Sequence, residues 1–305
     1  MLPFFDGALL RRLVTPLDAA AAISAALCSG RAPGQDPARS GVPVAGGELL
    51  LMPASTDRSV GIKLVTLRPG EPRTELPRVQ GLYILFDGAS LAPVAVLDGI
   101  ALTALRTPAV SAVATDLLAV REARTLVVFG AGPQAEGHVA ALCGLREITR
   151  VEIVSRDPER AGSLAARLRA DGYPARVGNP ASIFDADIVC TTTTSRVPVV
   201  EGRLLPAHVH VNAVGSHQPE ARELDAETMR QAFIVVETRE TAWREAGDLI
   251  MARQDGAIGT DAVAADLAEL VTGRAAINPE ATTVFKSVGM AWQDLAVAEL
   301  ALERS

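Results

Sequence analysis

The sequence predicts an α/β protein built on a Rossmann-type doubly wound parallel sheet, preceded by a domain with a largely antiparallel sheet. Three observations carry this. Four apolar runs before residue 100 follow one another too closely for helical crossovers. Beyond residue 120, short apolar runs alternate mostly with helical segments, the pattern of a parallel sheet covered on both faces. Between them, from Ile100 to Val120, the periodicity is helical. At 305 residues the length suits about two domains, with the boundary within Ile100–Glu122.

The first element is a helix. Thr15 is placed as an N-cap, with Pro16 at the first helical position of LDAAAAISAAL. The Gly/Pro-rich stretch SGRAPGQDPARSGVPVAGG that follows reads as loop and short turns. GELLLMPAS, SVGIKLVTL, VQGLYILFD and PVAVLDG then read as strands separated by turn residues. The second set of strands is RTLVVFG, RVEIVSR, DADIVCTT, HVHVNAVG and AFIVVE, and TTVFKSVGMAWQDLAVAELAL closes the chain as a helix with Trp292, Leu295 and Leu302 on one face.

Composition narrows the function classes. The net charge is −7 with no Lys/Arg-rich run, which argues against nucleic acid or an anionic membrane as partner. No apolar run is long enough to span a bilayer. The opening MLPFFDGALLRRLVTPLD carries Asp6 and then Arg11–Arg12 after its apolar residues, unlike a signal peptide, so the expected location is cytoplasmic. Cys28, Cys143 and Cys190 are odd in number and far apart, and are expected to be reduced and buried.

The sequence FGAGPQAEGH carries Gly130, Gly132 and Ala135 as GxGxxA. Alone this is a weak pattern. Here a strand precedes it, a helix follows and VEIVS supplies the next strand, a βαβ unit of the size a dinucleotide fingerprint needs. Gly130 permits the tight turn, Gly132 the approach of a pyrophosphate, and Ala135 close helix packing, with Pro133 and Gln134 opening the helix whose N-terminus favours phosphate. At the end of the next strand Ser155 and Arg156 stand before Asp157. A hydroxyl and a guanidinium suit a ribose 2′-phosphate, so NADP(H) is preferred, with NAD(H) the alternative if Asp157 takes the ribose. Thr191–Thr194 and Asn212–Gly215, at the ends of later strands, are expected to line the crevice, Thr192, Val214 and Gly215 among them, together with Thr107.

Several segments occur in a telling order: MPAS before GIKLVT, LPRVQGLYILFD, LDGIALTALRTPAVSA, GAGPQAEGH, NAVGSHQPEARELD, EAGDL and TTVFKSVGMAWQDLA. In these the chain resembles the ornithine cyclodeaminase/mu-crystallin family over nearly its whole length. The resemblance implies a Rossmann domain and a split α+β domain for substrate binding and dimerisation. On that basis residues 1–112, completed by 289–305, form the split domain, residues 113–288 bind the dinucleotide, and the protein is a homodimer. It also implies that basic residues at three motif positions hold the substrate's α-carboxylate, matching Arg39 in PARS, Lys63 in GIKLVT and Arg106 in TALRT. The residues themselves agree. Lys63, one of two lysines in the chain, sits in an apolar strand where an unpaired ammonium is costly. Arg106 lies early in a helix, where its charge opposes the dipole unless an anion is near.

The other polar clusters are weaker. His208 and His210, two apart on a strand, would share a face, but no third metal ligand is spaced to join them, so no metal is expected. Asp225 reads as an N-cap, with a substrate-side role as the alternative. In the cyclodeaminases that the family is named for, the segment matching Gly215–Pro219 carries an Asp where this chain has His217. An imidazole does not reproduce a fixed negative charge beside a cationic amine. The expected function is therefore NAD(P)H-dependent reduction of a cyclic imino acid, or the reverse oxidation of a small amino acid. The alternatives are ornithine cyclodeamination and non-catalytic, cofactor-dependent binding of a small ligand.

Overall fold

The computed structural model describes residues 1–68, 79–278 and 281–305, so the LPR of LPRVQG lies outside the described residues. The chain divides into two compact units, Met1–Arg106 with Met290–Ser305, and Thr107–Gly289. Their boundaries fall at 106/107 and 289/290, where the sequence reading places them at 112/113 and 288/289.

The first unit opens with strand β1 (Phe4–Phe5), helix α1 (Gly7–Leu13) and helix α2 (Pro16–Cys28). Thr15 and Asp18 cap α2 reciprocally, with Pro16 in its first turn. Strands β2 (Ser40–Val44), β3 (Gly47–Ser55), β4 (Ser59–Leu67), β5 (Val79–Asp87) and β6 (Pro93–Asp98) pair in succession as antiparallel neighbours, and β1 joins β6 in parallel. Strand β2 lies in the stretch for which the sequence predicts only loop and turns. Its Pro43 is tolerated because β2 is the sheet's edge and pairs only with β3.

One face of this sheet is buried, carrying Met52, Ala54, Lys63, Val65, Tyr83, Leu85 and Leu97. Helix α2 adds Ala19, Ile23 and Leu27 to the core, and the last helix (Ala291–Glu303) adds Trp292, Leu295 and Ala298. On the other face Val42 and Leu82 are exposed, while Leu49, Leu51, Ile62, Leu64 and Ile84 stay half-buried. The register sets Leu64 directly between Leu51 and Leu82, so this face is a continuous apolar surface. Cys28, expected to be buried, is exposed at the end of α2; Cys143 is intermediate and Cys190 buried.

Helix α3 (Gly99–Leu118) starts in the first unit, where Asp98 Oδ1 accepts from the amides of Ile100 and Ala101 at 2.9 and 3.0 Å, and continues into the second. The second unit then runs through β7 (Thr125–Phe129), α4 (Pro133–Leu145), β8 (Arg150–Val154), α5 (Pro158–Ala170), β9 (Ala175–Val177), β10 (Ile188–Thr191) and β11 (His210–Ala213). It finishes with α6 (Ala226–Gln231), β12 (Phe233–Val236), α7 (Arg239–Glu245), α8 (Gly247–Gln254), β13 (Val263–Asp266), α9 (Leu267–Val271) and β14 (Thr283–Lys286). All the pairs are parallel, in the order β13-β12-β14-β11-β10-β7-β8-β9. Strand order reverses at β7, which makes the β7/β10 crevice the switch point of a doubly wound sheet.

Strand β14 corrects the sequence reading, which runs Thr283–Lys286 into the final helix. The segment instead lies between β11 and β12 and is almost wholly buried. Apolar periodicity does not separate a short buried strand from a buried helical turn; the Thr–Thr–Val–Phe composition favours the strand. The final helix begins only at Ala291. The histidine pair also fails. His208 is exposed in a turn at φ 66°, whereas His210 begins β11, buried, with Nδ1 2.9 Å from Thr283 Oγ1.

Candidate active site

The second unit builds a dinucleotide cradle at the switch point. Gly130 has φ +123°, and a Cβ there would lie 2.4 Å from Thr192 Oγ1, so both backbone conformation and space demand glycine. Its amide donates to Val154 O at 2.8 Å, tying the turn to the neighbouring strand. Gly132 is the N-cap of α4, without a side-chain cap, and a Cβ there would meet nothing within 4 Å. The space before this 13-residue helix is thus open to an anion. Pro133, Gln134 and Ala135 form the first turn, with Ala135 fully buried.

A cleft of about 680 Å³ extends from this turn and brings together Gly130, Gly132, Ser155, Arg156 and Thr192. Arg160 and Asn179 also line it, and the sequence reading does not name them. Arg160 carries a signal: it is three residues beyond Asp157, which caps α5 by accepting from Glu159 N and Arg160 N at 3.0 and 3.1 Å. That carboxylate is therefore engaged by the helix end. Thr107, Val214 and Gly215 do not line the cleft. Thr107 is buried in α3, and Val214 and Gly215 follow β11, both amides directed at Thr191 O.

The loops after β10 and β11 are fixed by buried carboxylates that the sequence reading does not single out. Glu223 accepts from Thr191 Oγ1 at 2.9 Å and from Thr193 N, Thr193 Oγ1 and Gly215 N, each at 2.7 Å. Burial raises its carboxyl above the usual range, with Lys286 opposing. Asp248 Oδ1 accepts from the amides of Glu223 and Leu224, while its Oδ2 lies 2.9 Å from Lys286 Nζ. Lys286 in turn donates to Ser216 O at 2.6 Å. His217 follows, exposed. Asp225 is the N-cap of α6: its Oδ1 accepts from Thr228 N, Thr228 Oγ1 and Gly202 N at 2.8, 2.7 and 3.0 Å. Asp225 thus takes the N-cap position that the capping reading gives it.

The first unit holds a separate cationic cluster. Lys63 points from the buried face of β4 and is 2 % exposed. Its Nζ lies 2.7 Å from Asp294 Oδ2 and 3.3 Å from Thr103 Oγ1. Arg106 reaches the same carboxylate, Nε to Oδ1 at 3.4 Å, and donates from Nη1 to Gln293 Oε1 at 3.2 Å. Burial pulls the Lys63 ammonium down to about 8; Asp294 opposes this, and the charges of Arg106 and Arg39 add to it. The three basic residues predicted from the sequence are thus electrostatically coupled. The anion beside Arg106 that the sequence argument requires is supplied, in this structure, by the protein's own Asp294. A sequence signal existed: an Asp between Trp292 and Leu295 in an apolar helix must find a cation if buried.

Among the described residues, no group of three or more His, Cys, Asp or Glu could hold a metal ion, and no helix is long and apolar enough to cross a membrane.

Fold and cradle together define a dinucleotide-binding α/β protein that carries a buried cluster of carboxylate-binding cations. The chain belongs to the ornithine cyclodeaminase/mu-crystallin family, whose model matches residues 12–305. It is 36% identical over 294 residues to the ketimine reductase mu-crystallin of Mus musculus, covering 94% of this chain and 90% of that protein. Its structure resembles that of Thermococcus litoralis Delta(1)-pyrroline-2-carboxylate reductase in complex with NADH and L-proline, with TM-score 0.93, 32% identity, and coverage of 100% and 97%. It also resembles an archaeal alanine dehydrogenase dimer with bound NAD, with TM-score 0.91, 30% identity, and coverage of 99% and 95%.

Proposed function

We propose that the protein is an NADPH-dependent reductase of small cyclic imino acids, five- or six-membered ketimine carboxylates. The observation that carries this is the buried cluster of Lys63 and Arg106, with Arg39 in electrostatic range, in a family whose similar members bear the names ketimine reductase and pyrroline-2-carboxylate reductase. The Gly130–Gly132 turn and the α4 N-terminus would hold the pyrophosphate. Ser155, Arg156 and Arg160 would hold the 2′-phosphate, since Asp157 is engaged as a cap. A bound reduced nicotinamide would supply a hydride to the imine carbon. Arg39 and Arg106 pair with the substrate carboxylate and fix its orientation. Lys63 passes one proton from Nζ to the imine nitrogen as C=N becomes C–N, and is left neutral. The similar alanine dehydrogenase is a dimer, and the apolar outer face of the first sheet supports a homodimer here.

A substrate panel tests the reading: cyclic imines with NADPH or NADH, ornithine with NAD, and alanine with either oxidised cofactor. Imine reduction is expected, with NADPH the better donor. Lys63→Ala and Arg106→Ala should each lower kcat/KM by roughly 30- to 5,000-fold, the equivalent of about 2–5 kcal/mol for a buried charge pair, while NADPH binding survives. Robust production of proline and ammonia from ornithine with catalytic cofactor would overturn the reading in favour of the cyclodeaminase.

A further inference from the structure

Lys63 and Arg106 come from a strand and a helix that lie close in sequence, but the carboxylate they share comes from the other end of the chain. Asp294 is 231 residues from Lys63 and 188 from Arg106, and its side chain is fully buried. It divides its two oxygens between the two cations, Oδ2 to Lys63 and Oδ1 to Arg106. The adjacent Gln293 takes Arg106 Nη1, so one helical turn holds both basic residues. The ionisable groups that act on Lys63 are Asp294 from the last helix, Arg106 from α3, and Arg39 ahead of β2. Tyr83, directly paired with Lys63 on β5, is a buried phenol held well above 10 and stays neutral throughout the working range.

Two buried cations that share one carboxylate do not both keep their charge without an anion. A substrate carboxylate is that anion only while substrate is bound. We propose that Asp294 is the positioning residue for Lys63: a permanent counter-charge that keeps the ammonium protonated and aimed while no substrate is bound, so that a proton is ready for the imine nitrogen. This rests on the reductase reading for the proton's destination, but the counter-charge role is measurable apart from it.

The chain has only two lysines, Lys63 and Lys286, so protein labelled with 13C at lysine Cε gives two side-chain signals, assigned through Lys63→Met. In the wild type the Lys63 signal should titrate at about 8. In Asp294→Asn it should titrate lower by about 1–3 pH units, the span an opposite charge at this range produces, while Lys286 stays put. Because protonated Lys63 is the donor, kcat/KM for imine reduction should fall as pH rises through the Lys63 value. That alkaline limb should move down by the same amount in Asp294→Asn and return in Asp294→Glu. An unmoved Lys63 signal overturns the proposal. A signal that moves while the limb does not, or an enzyme that reduces no imine, overturns the reductase reading and leaves the counter-charge role standing. If Asp294→Asn fails to fold, adding Lys63→Met and Arg106→Met should restore folding by removing both uncompensated cations. Failure to restore it identifies lost packing as the cause and overturns the proposal.

Discussion

Lys286→Met removes a cation that is fully buried and holds two partners at once. Its Nζ lies 2.9 Å from Asp248 Oδ2 and 2.6 Å from Ser216 O, with both side chains of the ion pair at 0% exposure. Met fills similar volume, so the loss is electrostatic: Asp248 is left buried and unpaired. Its other oxygen remains committed to the amides of Glu223 and Leu224. Breaking one side of a buried pair costs about 3–5 kcal/mol. At roughly 2–4 °C per kcal/mol for a unit of this size, the thermal midpoint of cofactor-free protein should drop by about 6–20 °C. The double variant Asp248→Asn/Lys286→Met also removes the stranded charge, while Asn Oδ1 still accepts from both amides. It should recover most of the loss, giving a coupling energy of at least about 2 kcal/mol. Calorimetry on the four proteins of the cycle measures this. A single variant melting within about 2 °C of wild type, or a double variant as unstable as the sum of the singles, would refute the reasoning.

The remaining expectations use different parts of the molecule. His138 and His210 are fully buried, and burial pulls them from 6.5 to about 4 and about 3. Both are neutral in the fold, so the unfolded chain binds protons first as pH falls below 6.5, and stability present above 6.5 is lost on the way down. From pH 6.5 to 5 this amounts to about 1.6 kcal/mol for each histidine, about 3 together, read by urea unfolding at several pH values. An unchanged pH slope in a His138→Gln/His210→Gln variant would show that other groups cause it. Leu64→Glu places a charge at the centre of the apolar sheet face and should convert the proposed dimer to monomer in sedimentation; a wild type already monomeric at micromolar concentration defeats that proposal. Arg156→Ala should weaken NADPH binding about tenfold, with NADH nearly unaffected, by loss of one charge-assisted contact. Tighter binding of NADH than NADPH by the wild type would count against the reading of Ser155–Arg156.

Local chemistry determined what the sequence could show. The GxGxxA turn, the Thr15 cap and the four strands from Gly47 to Asp98 are each written within a few neighbouring positions, where backbone preference, periodicity and motif spacing act, while the three basic residues stand out through the family resemblance. Tertiary structure decided the rest. The strand Thr283–Lys286 is a strand because β11 and β12 flank it and satisfy its backbone groups, a circumstance no local pattern encodes. Strand β2 survives its proline only because it is an edge. Asp294 reads in sequence as one polar residue in an apolar helix. Folding sets its carboxylate 2.7 Å from an ammonium 231 residues away, because burying the helix's apolar face against the sheet carries the Asp with it. A buried charge is stable only where the fold delivers its opposite, and that delivery belongs to packing, not to sequence.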